Sequence, residues 1–377
     1  MRVVENLDIK AKTNIRAIAF YLPQYYPIPE NDLWWGKGFT EWTNVTKAKP
    51  LFRNHYQPHL PADLGFYDLR VSETRQAQAE MAKSYGIEGF CYWHYWFGNG
   101  KKLLNRPFEE VLATKTPDFP FCLGWANETW SGIWHGDPNK VLIEQTYPGV
   151  QDYINHFNHL LNAFKDSRYI KVDDKPLFYI YSPEKIPNII EFTSLFRKLA
   201  LENDLKGLYI VANTGNPDWN PEINGCDAVC LNELGSIYKY LPRKENYFYR
   251  KFRNQLLKPR FGNLYKKIFR LPVKIYSYKE TIKFLVNHKH FAYKYFPTVI
   301  PNWDNSPRSG LNSLILTGST PQLFKEHLED AINIVKNNPP DQQIVFIKSW
   351  NEWAEGNHLE PDVKFGHQYL EVLKELL

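Results

Sequence analysis

The sequence predicts an α/β fold and, within that class, a (β/α)8 barrel (TIM barrel) with enlarged βα loops. Short apolar runs rich in β-formers alternate with longer amphipathic stretches, a pattern that indicates a parallel sheet with crossover helices. Eight such units in 377 residues fit a barrel with long loops. A doubly wound sheet is the alternative. That fold usually has a glycine-rich turn after its first strand, where this chain has Pro23-Gln24-Tyr25-Tyr26.

The predicted elements follow one another in regular order. Strands are predicted at Ile15–Leu22, Ile87–Trp93, Phe121–Ala126, Pro176–Tyr181, Leu208–Ala212, Ala228–Leu231, Phe296–Pro301 and Gln343–Ser349. Helices are predicted at Leu69–Tyr85, Pro107–Ala113, Gln151–Lys165, Ile189–Glu202, Pro321–Asn337 and Phe365–Leu377. Gly86 ends the first of these helices, and no helix is predicted between Asn213 and Asp227.

One segment, Arg243–Lys279, is a basic aromatic insertion between the sixth and seventh predicted strands. It holds twelve Lys or Arg residues and one acidic residue, Glu245, so its net charge of +11 exceeds the +5 of the whole chain. Its aromatic residues include Tyr247, Phe248, Tyr249, Phe252, Phe261, Tyr265, Phe269 and Tyr276. This mixture suits the headgroup region of an anionic membrane, and the segment predicts peripheral membrane contact or, alternatively, a solvated basic surface.

Composition and motifs exclude several other classes of protein. The longest uncharged aromatic stretch, Phe90–Gly100, is too short to span a bilayer, which takes ~18–20 apolar residues. Met1–Asn6 lacks the apolar region of a secretory signal. Four cysteines are too few for a disulfide scaffold and are expected to be buried and reduced: Cys91, Cys122, Cys226 and Cys230. The sequence therefore predicts a single cytoplasmic catalytic domain over residues 1–377.

No cofactor or metal is expected, because the sequence holds neither a glycine-rich phosphate loop nor cysteine and histidine pairs at zinc-like spacing. The sequence also lacks a D-x-D motif, which disfavours a metal-bound nucleotide-sugar donor. Nucleic acid is not an expected partner, because the barrel mouth is predicted to be aromatic and acidic. Four histidines are expected to be structural: His55, His59, His358 and His367.

Aromatic and polar residues gather after the predicted strands, at the end where barrel enzymes carry their active sites. The faces of Trp and Tyr stack on the C–H faces of sugar rings, while amides, imidazoles and carboxylates bind sugar hydroxyls. A phosphate would instead favour Arg and Lys. The predicted substrate is therefore an oligosaccharide or a lipid-linked glycan. Its predicted binding residues are Tyr21, Gln24, Trp35, Glu41, Trp42, Trp93, His94, Tyr95, Trp96, Trp125, Asn127, Glu128, Trp130, Asn302, Trp303, Trp350, Asn351 and Trp353. For Glu41, pairing with an arginine is the alternative.

The sharpest signal follows the eighth predicted strand, where Glu352 and Glu355 stand three residues apart. In a helical turn their Cβ atoms would lie roughly 5–6 Å apart on one face. Two carboxylates that close push their pKa values apart, and glycoside cleavage needs one acid and one base. A solvated surface pair is the alternative. Trp350 and Trp353 flank Glu352, and Gly356 ends the turn, which favours catalysis.

Four runs of the sequence resemble the WbsX family: Tyr21–Tyr25, Asn31–Trp42, Trp125–Trp130 and Ser349–Gly356. Proteins of that family are associated with O-antigen and capsule gene clusters and are often labelled glycosyltransferases. The resemblance covers about residues 15–362. The last run, with its continuation to Leu359-Glu360-Pro361, is also similar to glycoside hydrolase family 99, the endo-α-mannosidases and endo-α-mannanases.

The family 99 resemblance implies a (β/α)8 barrel and a retaining mechanism. It implies that Glu352 acts as a base on the 2-hydroxyl of the sugar, whose oxygen then forms a 1,2-anhydro sugar. Glu355 would protonate the leaving oxygen and later activate water. Ala354 stands where family 99 usually has histidine, so the subsite contacts differ.

Together these observations predict a carbohydrate-active enzyme of surface-polysaccharide metabolism, a retaining glycosidase or transglycosidase acting on α-mannoside-like glycans. A glycosyltransferase of O-antigen biosynthesis is the first alternative, and a glycan-binding barrel without catalysis is the second.

Overall fold

The computed structural model describes residues 14–132, 137–232, 234, 235, 237, 255, 258–272 and 274–377. Its core is a ring of eight parallel strands: β1 Arg16–Tyr21, β2 Gly89–Trp96, β3 Phe121–Trp125, β4 Lys175–Ile180, β5 Tyr209–Thr214, β6 Ala228–Leu231, β7 Thr298–Val299 and β8 Ile344–Ile347. Hydrogen bonds join them in the order β6-β5-β4-β3-β2-β1-β8-β7. A parallel bridge between Val229 and Tyr295 brings β6 against the chain that leads into β7. The predicted (β/α)8 barrel is confirmed.

The inside of the barrel is filled by stacked aromatic rings. Phe20 lies 4.6 Å from Trp93 and 5.4 Å from Phe346 between ring centroids, in near-parallel stacks. Gly124, on the neighbouring strand β3, makes room for this stack, because a Cβ there would lie 3.0 Å from the Trp93 ring. Such aromatic pairs stabilise the fold by more than the burial of their surface alone, and they fill the barrel beneath its mouth.

Eleven helices are described in this part of the chain: α1 Pro29–Trp35, α2 Glu41–Lys47, α3 Ser72–Ser84, α4 Arg106–Thr114, α5 Val150–Phe164, α6 Ile189–Glu202, α7 Pro259–Phe269, α8 Tyr278–Leu285, α9 Ser306–Ser309, α10 Pro321–Val335 and α11 Gln368–Leu376. The first predicted helix begins three residues later than expected, because the Leu69 amide donates to the carbonyl of Tyr25 at 3.0 Å and ties the chain to the β1 loop. Helix α11 likewise begins after Phe365, whose amide donates to Asp362 Oδ1 at 2.6 Å.

Short strand pairs and single turns complete the described structure. Antiparallel pairs join Lys102–Leu103 to β2, Lys171–Val172 to β4, Trp130–Gly132 to Asp137–Ile143, and Asn351–Glu352 to Asn357–His358. A parallel pair joins Lys274–Ser277 to Leu314–Thr317. Turns of 3-10 helix lie at Pro183–Lys185, Gly310–Asn312, Pro340–Gln342 and Trp353–Glu355.

The enlarged βα loops are confirmed. The loop after β1 carries α1 and α2, and the loop after β3 carries the hairpin Trp130–Ile143. The insertion lies between β6 and β7 as predicted, but its residues 243–254, 256, 257 and 273 fall outside the described residues. Its described part holds α7 and the strand Lys274–Ser277, which the sequence did not predict. No helix in the described ranges is both long and apolar enough to cross a membrane.

Candidate active site

A cavity of about 510 Å³ opens at the carboxyl ends of the barrel strands. Nine of the residues predicted from the sequence line it: Gln24, Trp35, Glu41, Trp93, Tyr95, Glu128, Trp130, Glu352 and Glu355. They come from the loops after β1, β3 and β8 and from β2 itself. The folded chain therefore brings together both predicted catalytic residues and four of the eleven predicted aromatic binding residues.

Both predicted catalytic glutamates lie on the segment Asn351–Gly356, called here the glutamate turn. Glu352 belongs to a two-residue strand, and Glu355 ends the 3-10 turn that follows. Gly356 closes the turn at φ +59°, and a Cβ there would lie 3.0 Å from Asp304 Cβ. The Asp304 amide donates to the carbonyl of Glu355 at 2.6 Å. Glycine is thus required at a point where two loops meet, and the two carboxylates are held in fixed positions.

The loop after β1 holds the glutamate turn from below. The Asn351 amide group pairs with the backbone of Leu22, accepting at 2.7 Å and donating at 3.0 Å. The Tyr25 hydroxyl donates to the carbonyl of Asn351 and accepts from the Trp353 amide at 3.2 Å. The predicted binding residues Asn351 and Trp353 therefore support the turn and do not line the cavity.

A buried acid, Glu360, lies behind the turn. Its carboxylate accepts hydrogen bonds from Trp353 Nε1 at 2.6 Å, Gln78 Nε2 at 2.6 Å and the Tyr67 hydroxyl at 2.8 Å. Burial raises the pKa of Glu360 to about 7, although these donors act to lower it. Neutral donors do not fully replace the water that the carboxylate loses on burial.

Arg308, which the sequence did not single out, is the central cation of the cavity. Its guanidinium lies 2.7 Å from Glu355 Oε1, 3.0 Å from Glu41 Oε2 and 3.8 Å from Glu352 Oε1. Its side chain is 11% exposed. Burial opposes its charge, but the carboxylates around it raise the pKa of Arg308 above its usual range. Of the two interpretations left open for Glu41, the structure shows the pair with an arginine.

The two catalytic candidates have opposite pKa shifts. Burial and the charge of Glu355 raise the pKa of Glu352 well above its usual range. Burial acts to raise the pKa of Glu355 as well, but the charges of Arg308 and Lys348 outweigh it and lower that pKa. The divergence agrees with the expectation from their spacing. These shifts favour the proton on Glu352 and the charge on Glu355, the reverse of the roles that the family 99 resemblance implies.

Strand β2 shows why some predicted residues miss the cavity. Side chains alternate between the two faces of a strand. Trp93 and Tyr95 line the cavity. His94 and Trp96 face the helix layer, where both rings stack on His156 of α5 at 5.1 and 4.8 Å between centroids. These two residues pack the barrel against its helices.

The other predicted binding residues form the layer beneath and beside the cavity. Trp125 is 1% exposed, and its Nε1 donates to the carbonyl of Trp96 at 2.9 Å. The Asn127 amide donates to the carbonyl of Ser182 at 2.7 Å. The full set outside the cavity wall is Tyr21, Trp42, His94, Trp96, Trp125, Asn127, Asn302, Trp303, Trp350, Asn351 and Trp353.

The wall also contains residues that the sequence did not single out: Leu22, Asn31, Phe39, Asn44, Ala126, Thr129, Ser131, Leu142, Tyr181, Arg308 and Lys348. Lys348 lies in the predicted eighth strand next to its carboxyl end, and that position was an available signal. Its Nζ lies 4.7 Å from the centroid of the Trp303 ring. Arg308 carried no comparable signal, because it lies five residues after Trp303, in the short helix α9, where the sequence predicted no element.

The cavity itself presents carboxylates, amides and aromatic rings, without a cluster of metal ligands. Within the described ranges, one group of three side chains brings potential ligand atoms together, all within 4.8 Å of one another: His59, His358 and Asp362. That group lines a separate cavity of about 190 Å³ behind the glutamate turn.

Two curated proteins are similar in sequence to this chain. Both are named WxcX, are described as uncharacterised, and come from Xanthomonas campestris pv. campestris, strains B100 and ATCC 33913. Each is 34% identical to this chain over 361 residues, which is 96% of this chain and 49% of the relative. The chain therefore spans about half the length of the curated relatives it matches.

Solved structures share the fold at low sequence identity. A glycoside hydrolase-like protein superposes with a TM-score of 0.56 at 17% identity, over 97% of this chain and 94% of its own. The family 99 endo-α-mannosidase of Bacteroides thetaiotaomicron, in complex with bis-tris propane, superposes with a TM-score of 0.54 at 16% identity, over 97% of both chains. At these identities the likeness shows the barrel fold.

The family comparison is the most specific of the three. Residues 17–373 match the family described as Glycosyltransferase WbsX, from β1 through most of α11. The match includes the glutamate turn, Arg308 and every other described element that lines the cavity. This chain therefore belongs to the WbsX glycosyltransferase family.

Proposed function

We propose that this chain is a carbohydrate-active enzyme of surface-polysaccharide metabolism, a retaining glycosidase or transglycosidase that acts on α-mannoside-like glycans through a 1,2-anhydro sugar. The observation that carries the proposal is the pair Glu352 and Glu355. The two side chains lie on one turn at the cavity, each 8% exposed, and their pKa values are driven in opposite directions. An acid and a base at one place are what cleavage of a glycosidic bond requires.

In the proposed reaction, Glu352 accepts the proton of the 2-hydroxyl while that oxygen bonds to the anomeric carbon. The bond from that carbon to the leaving oxygen breaks, and Glu355 donates its proton to the leaving oxygen. Water or a sugar hydroxyl then gives a proton to Glu355 and opens the anhydro ring, and the 2-oxygen regains the proton held by Glu352. Both carboxyl groups end as they began.

In the unliganded protein the pKa shifts favour the proton of the pair on Glu352, whereas the reaction needs it on Glu355. The two arrangements contain the same number of protons, so they are two states of one coupled pair. The proposed reaction therefore requires that substrate binding transfer the proton to Glu355 and weaken the contact between Arg308 and that residue. The pH limits of activity belong to the pair and not to either residue alone.

The charge balance of the cavity supports an uncharged glycan. Four carboxylates line the cavity, on Glu41, Glu128, Glu352 and Glu355, together with the two cations of Arg308 and Lys348. Glu128 is paired with Lys185 outside the wall, and with one proton shared by the catalytic pair the remaining charges cancel. No cation is left in surplus to attract an anionic sugar, and aromatic residues make up much of the remaining wall.

Two asparagines supply polar groups suited to sugar hydroxyls. Asn31 and Asn44 line the cavity and are 0% and 2% exposed. Both amide atoms of Asn31 and Oδ1 of Asn44 are buried and make no hydrogen bond to the residues that the structure describes. A buried polar atom without a partner costs free energy, which a bound hydroxyl would recover.

The test is a screen of α-mannosides, rhamnosides and defined O-antigen fragments, read by mass spectrometry. The substrate that reacts is then prepared without its 2-hydroxyl. We expect the 2-deoxy analogue to bind and stay intact, because it cannot form the anhydro sugar. Turnover of the analogue at a near-normal rate would exclude the anhydro mechanism and leave the two glutamates as catalysts of another route.

A glycosyltransferase reaction is the second candidate, and the description of the matching family favours it. Incubation with sugar nucleotides and an acceptor glycan would then release free nucleotide, which a glycosidase does not do. The third candidate is a glycan-binding barrel without catalysis. It would bind the same fragments tightly and return them unchanged, and its binding would survive Glu355→Gln.

Helix α7 supports a further part of the proposal, peripheral contact with the anionic inner face of a cytoplasmic membrane. Its apolar side chains Phe261, Leu264 and Ile268 are 43%, 51% and 63% exposed and repeat at helical spacing on one face. Arg260 and Lys267 are exposed beside them. An apolar face bordered by cations is suited to the headgroup region, where the enzyme would meet lipid-linked glycans.

Co-sedimentation with liposomes tests this contact. Each Lys or Arg near an anionic surface contributes roughly 1 kcal/mol, so the full chain should bind anionic liposomes at low salt and release them at high salt. Changing six basic residues of the segment 243–279 to Gln should abolish binding, and Leu264→Ser with Ile268→Ser should weaken it. Equal binding to neutral and anionic liposomes would remove the membrane role and leave the catalytic proposal intact.

A further inference from the structure

A second cavity, of about 190 Å³, lies behind the glutamate turn and is separate from the candidate active site. Three side chains with metal-ligating atoms line it: His59, His358 and Asp362, which are 5%, 9% and 4% exposed. His59 Nδ1 lies 2.9 Å from His358 Nε2 and 4.0 Å from Asp362 Oδ2. We propose that these three residues form a binding site for a late first-row divalent metal ion, with zinc as the representative.

The three atoms are at separations that a metal ion can use. With bonds of about 2.0–2.1 Å in a tetrahedral site, neighbouring ligand atoms lie about 3.3 Å apart. The two imidazoles would open by about 0.4 Å and Asp362 would approach by about 0.7 Å, movements within the reach of side-chain torsions. Two histidines and one carboxylate form a common ligand set for such ions, and the cavity leaves the fourth position for water.

Contacts around the group already orient its ligand atoms. His358 Nδ1 lies 2.9 Å from the carbonyl of Glu360, so it carries the ring proton and leaves Nε2 as the acceptor. Asp362 Oδ1 accepts from the Phe365 amide at 2.6 Å, which leaves Oδ2 for the cluster. His59 then donates its Nδ1 proton to His358 in the empty site. A metal ion would take that position once the proton moves to His59 Nε2, with no net release.

The electrostatics of this cavity also favour a cation. The carboxyl groups of Asp304, Glu360 and Asp362 line it, and the Lys364 ammonium opposes them with a single charge, held 4.5 Å from the centroid of the Tyr56 ring. The neutral imidazole is the form that binds a metal ion.

The three residues come from different parts of the fold, so a bound ion would connect those parts. His358 lies on the strand that pairs with Asn351–Glu352, and its ring stacks on Trp353 at 3.7 Å between centroids. His59 comes from the long loop after β1. An ion shared by the two would tie that loop to the back of the glutamate turn without entering the reaction.

The test uses the full chain, stripped of metal by chelation, and two probes in turn, Co²⁺ and Zn²⁺. We expect one Co²⁺ per chain with visible d–d absorption, and one Zn²⁺ per chain by calorimetry, with a higher melting temperature as the folded state is stabilised. His59→Gln and Asp362→Asn should each weaken binding by more than the roughly 10–100-fold that loss of an outer hydrogen-bond partner costs.

His367→Gln is the matched control, because His367 forms a surface pair with Asp63 at 2.7 Å and should bind no metal in the folded protein. Circular dichroism checks that each variant is folded, and Asp362→Asn decides the question if His59→Gln is not. Absence of a Co²⁺ spectrum and of zinc binding in the natural chain would overturn the proposal. Binding that His59→Gln and Asp362→Asn both leave unchanged would do the same. Neither outcome bears on glycan turnover, which is measured separately.

Discussion

The two sides of the glutamate turn surround buried carboxylates in different ways. On the cavity side, Glu355 lies 2.7 Å from a guanidinium, and its pKa is lowered despite burial. On the back, Glu360 has three neutral donors and no cation within hydrogen-bond distance among the described residues, and its pKa rises to about 7. A carboxylate beside a cation stays charged and available for chemistry. A buried carboxylate that has only neutral donors favours its protonated form, and the folded protein loses stability when that group ionises.

The largest loss of turnover should come from replacing the two catalytic glutamates on the cavity side of the turn. Glu355→Gln should lower turnover of a substrate with a poor leaving group by roughly 10²–10⁴-fold and affect an activated aryl glycoside less, because general acid catalysis matters less there. Glu352→Gln should be severe for both substrates, because the internal nucleophile no longer forms. Steady-state kinetics on both substrates checks this. Glu109→Gln is the control, because Glu109 is a half-exposed surface residue that pairs with Lys102. Small, equal losses for the two catalytic variants would contradict the assignment.

Without the charge of Arg308, the glutamate pair on the cavity side should have raised pKa values, as Glu360 has on the back of the turn. Arg308→Gln should raise both apparent pKa values of the glutamate pair, since an adjacent opposite charge lowers a carboxyl pKa by roughly 1–3 units. The bell-shaped profile of kcat/KM against pH should therefore move as a whole to higher pH. Arg197→Gln, which breaks a half-buried pair with Asp227, should leave the profile in place. A profile that only loses height would mean that Arg308 has a structural role alone.

Glu360 gives the back of the turn its own pH dependence. Its pKa is raised on folding, so its contribution to stability is complete below the pKa of the unfolded chain and is lost as pH rises through about 7. From pH 4.5 to 8 the loss is on the order of 3 kcal/mol. Glu360→Gln should remove this dependence, and urea unfolding across that range measures it. Glu371→Gln on the exposed face of α11 should retain it. Parallel curves for the natural chain and Glu360→Gln would contradict the expectation.

The smallest expected effect concerns Gly356, the glycine that closes the glutamate turn. Gly356→Ala should destabilise by roughly 1–2 kcal/mol for the left-handed backbone, and by more because the new Cβ meets Asp304 at 3.0 Å. Gly65→Ala is the control, since its φ is +60° but nothing lies within 4 Å of a Cβ there. Thermal unfolding of both variants separates the backbone cost from the contact. Equal losses would show that the contact with Asp304 is relieved by a small shift.

The strands of the barrel were predictable because each is a short apolar run between turn residues, and β6 was predicted at its observed bounds. Strand β7 was predicted too long, because the chain before Thr298 forms a single bridge to Val229 and no continuous ladder. The insertion showed its charge in the sequence, but not the strand Lys274–Ser277. That strand is specified by its distant partner Leu314–Thr317, and local sequence carries no record of such pairing.

Residues of the site were predictable where their position at the end of a strand places them at the cavity. Glu352, Glu355, Trp93 and Tyr95 reached the cavity on that rule. His94 did not, because a strand turns successive side chains to opposite faces, a period that could have been applied to β2. Arg308 could not have been found, since its role arises only where α9 meets the glutamate turn.

The hydrogen bonds between Leu22 and Asn351 join residues 329 positions apart, across the seam where β1 meets β8. During synthesis the backbone of Leu22 cannot make these hydrogen bonds until residue 351 has left the ribosome. The β1 loop, with the aromatic and acidic residues that it contributes, lacks these contacts until then. The cavity can form only after β8 and the glutamate turn have been synthesised, and a nascent chain stalled before β8 has no complete cavity.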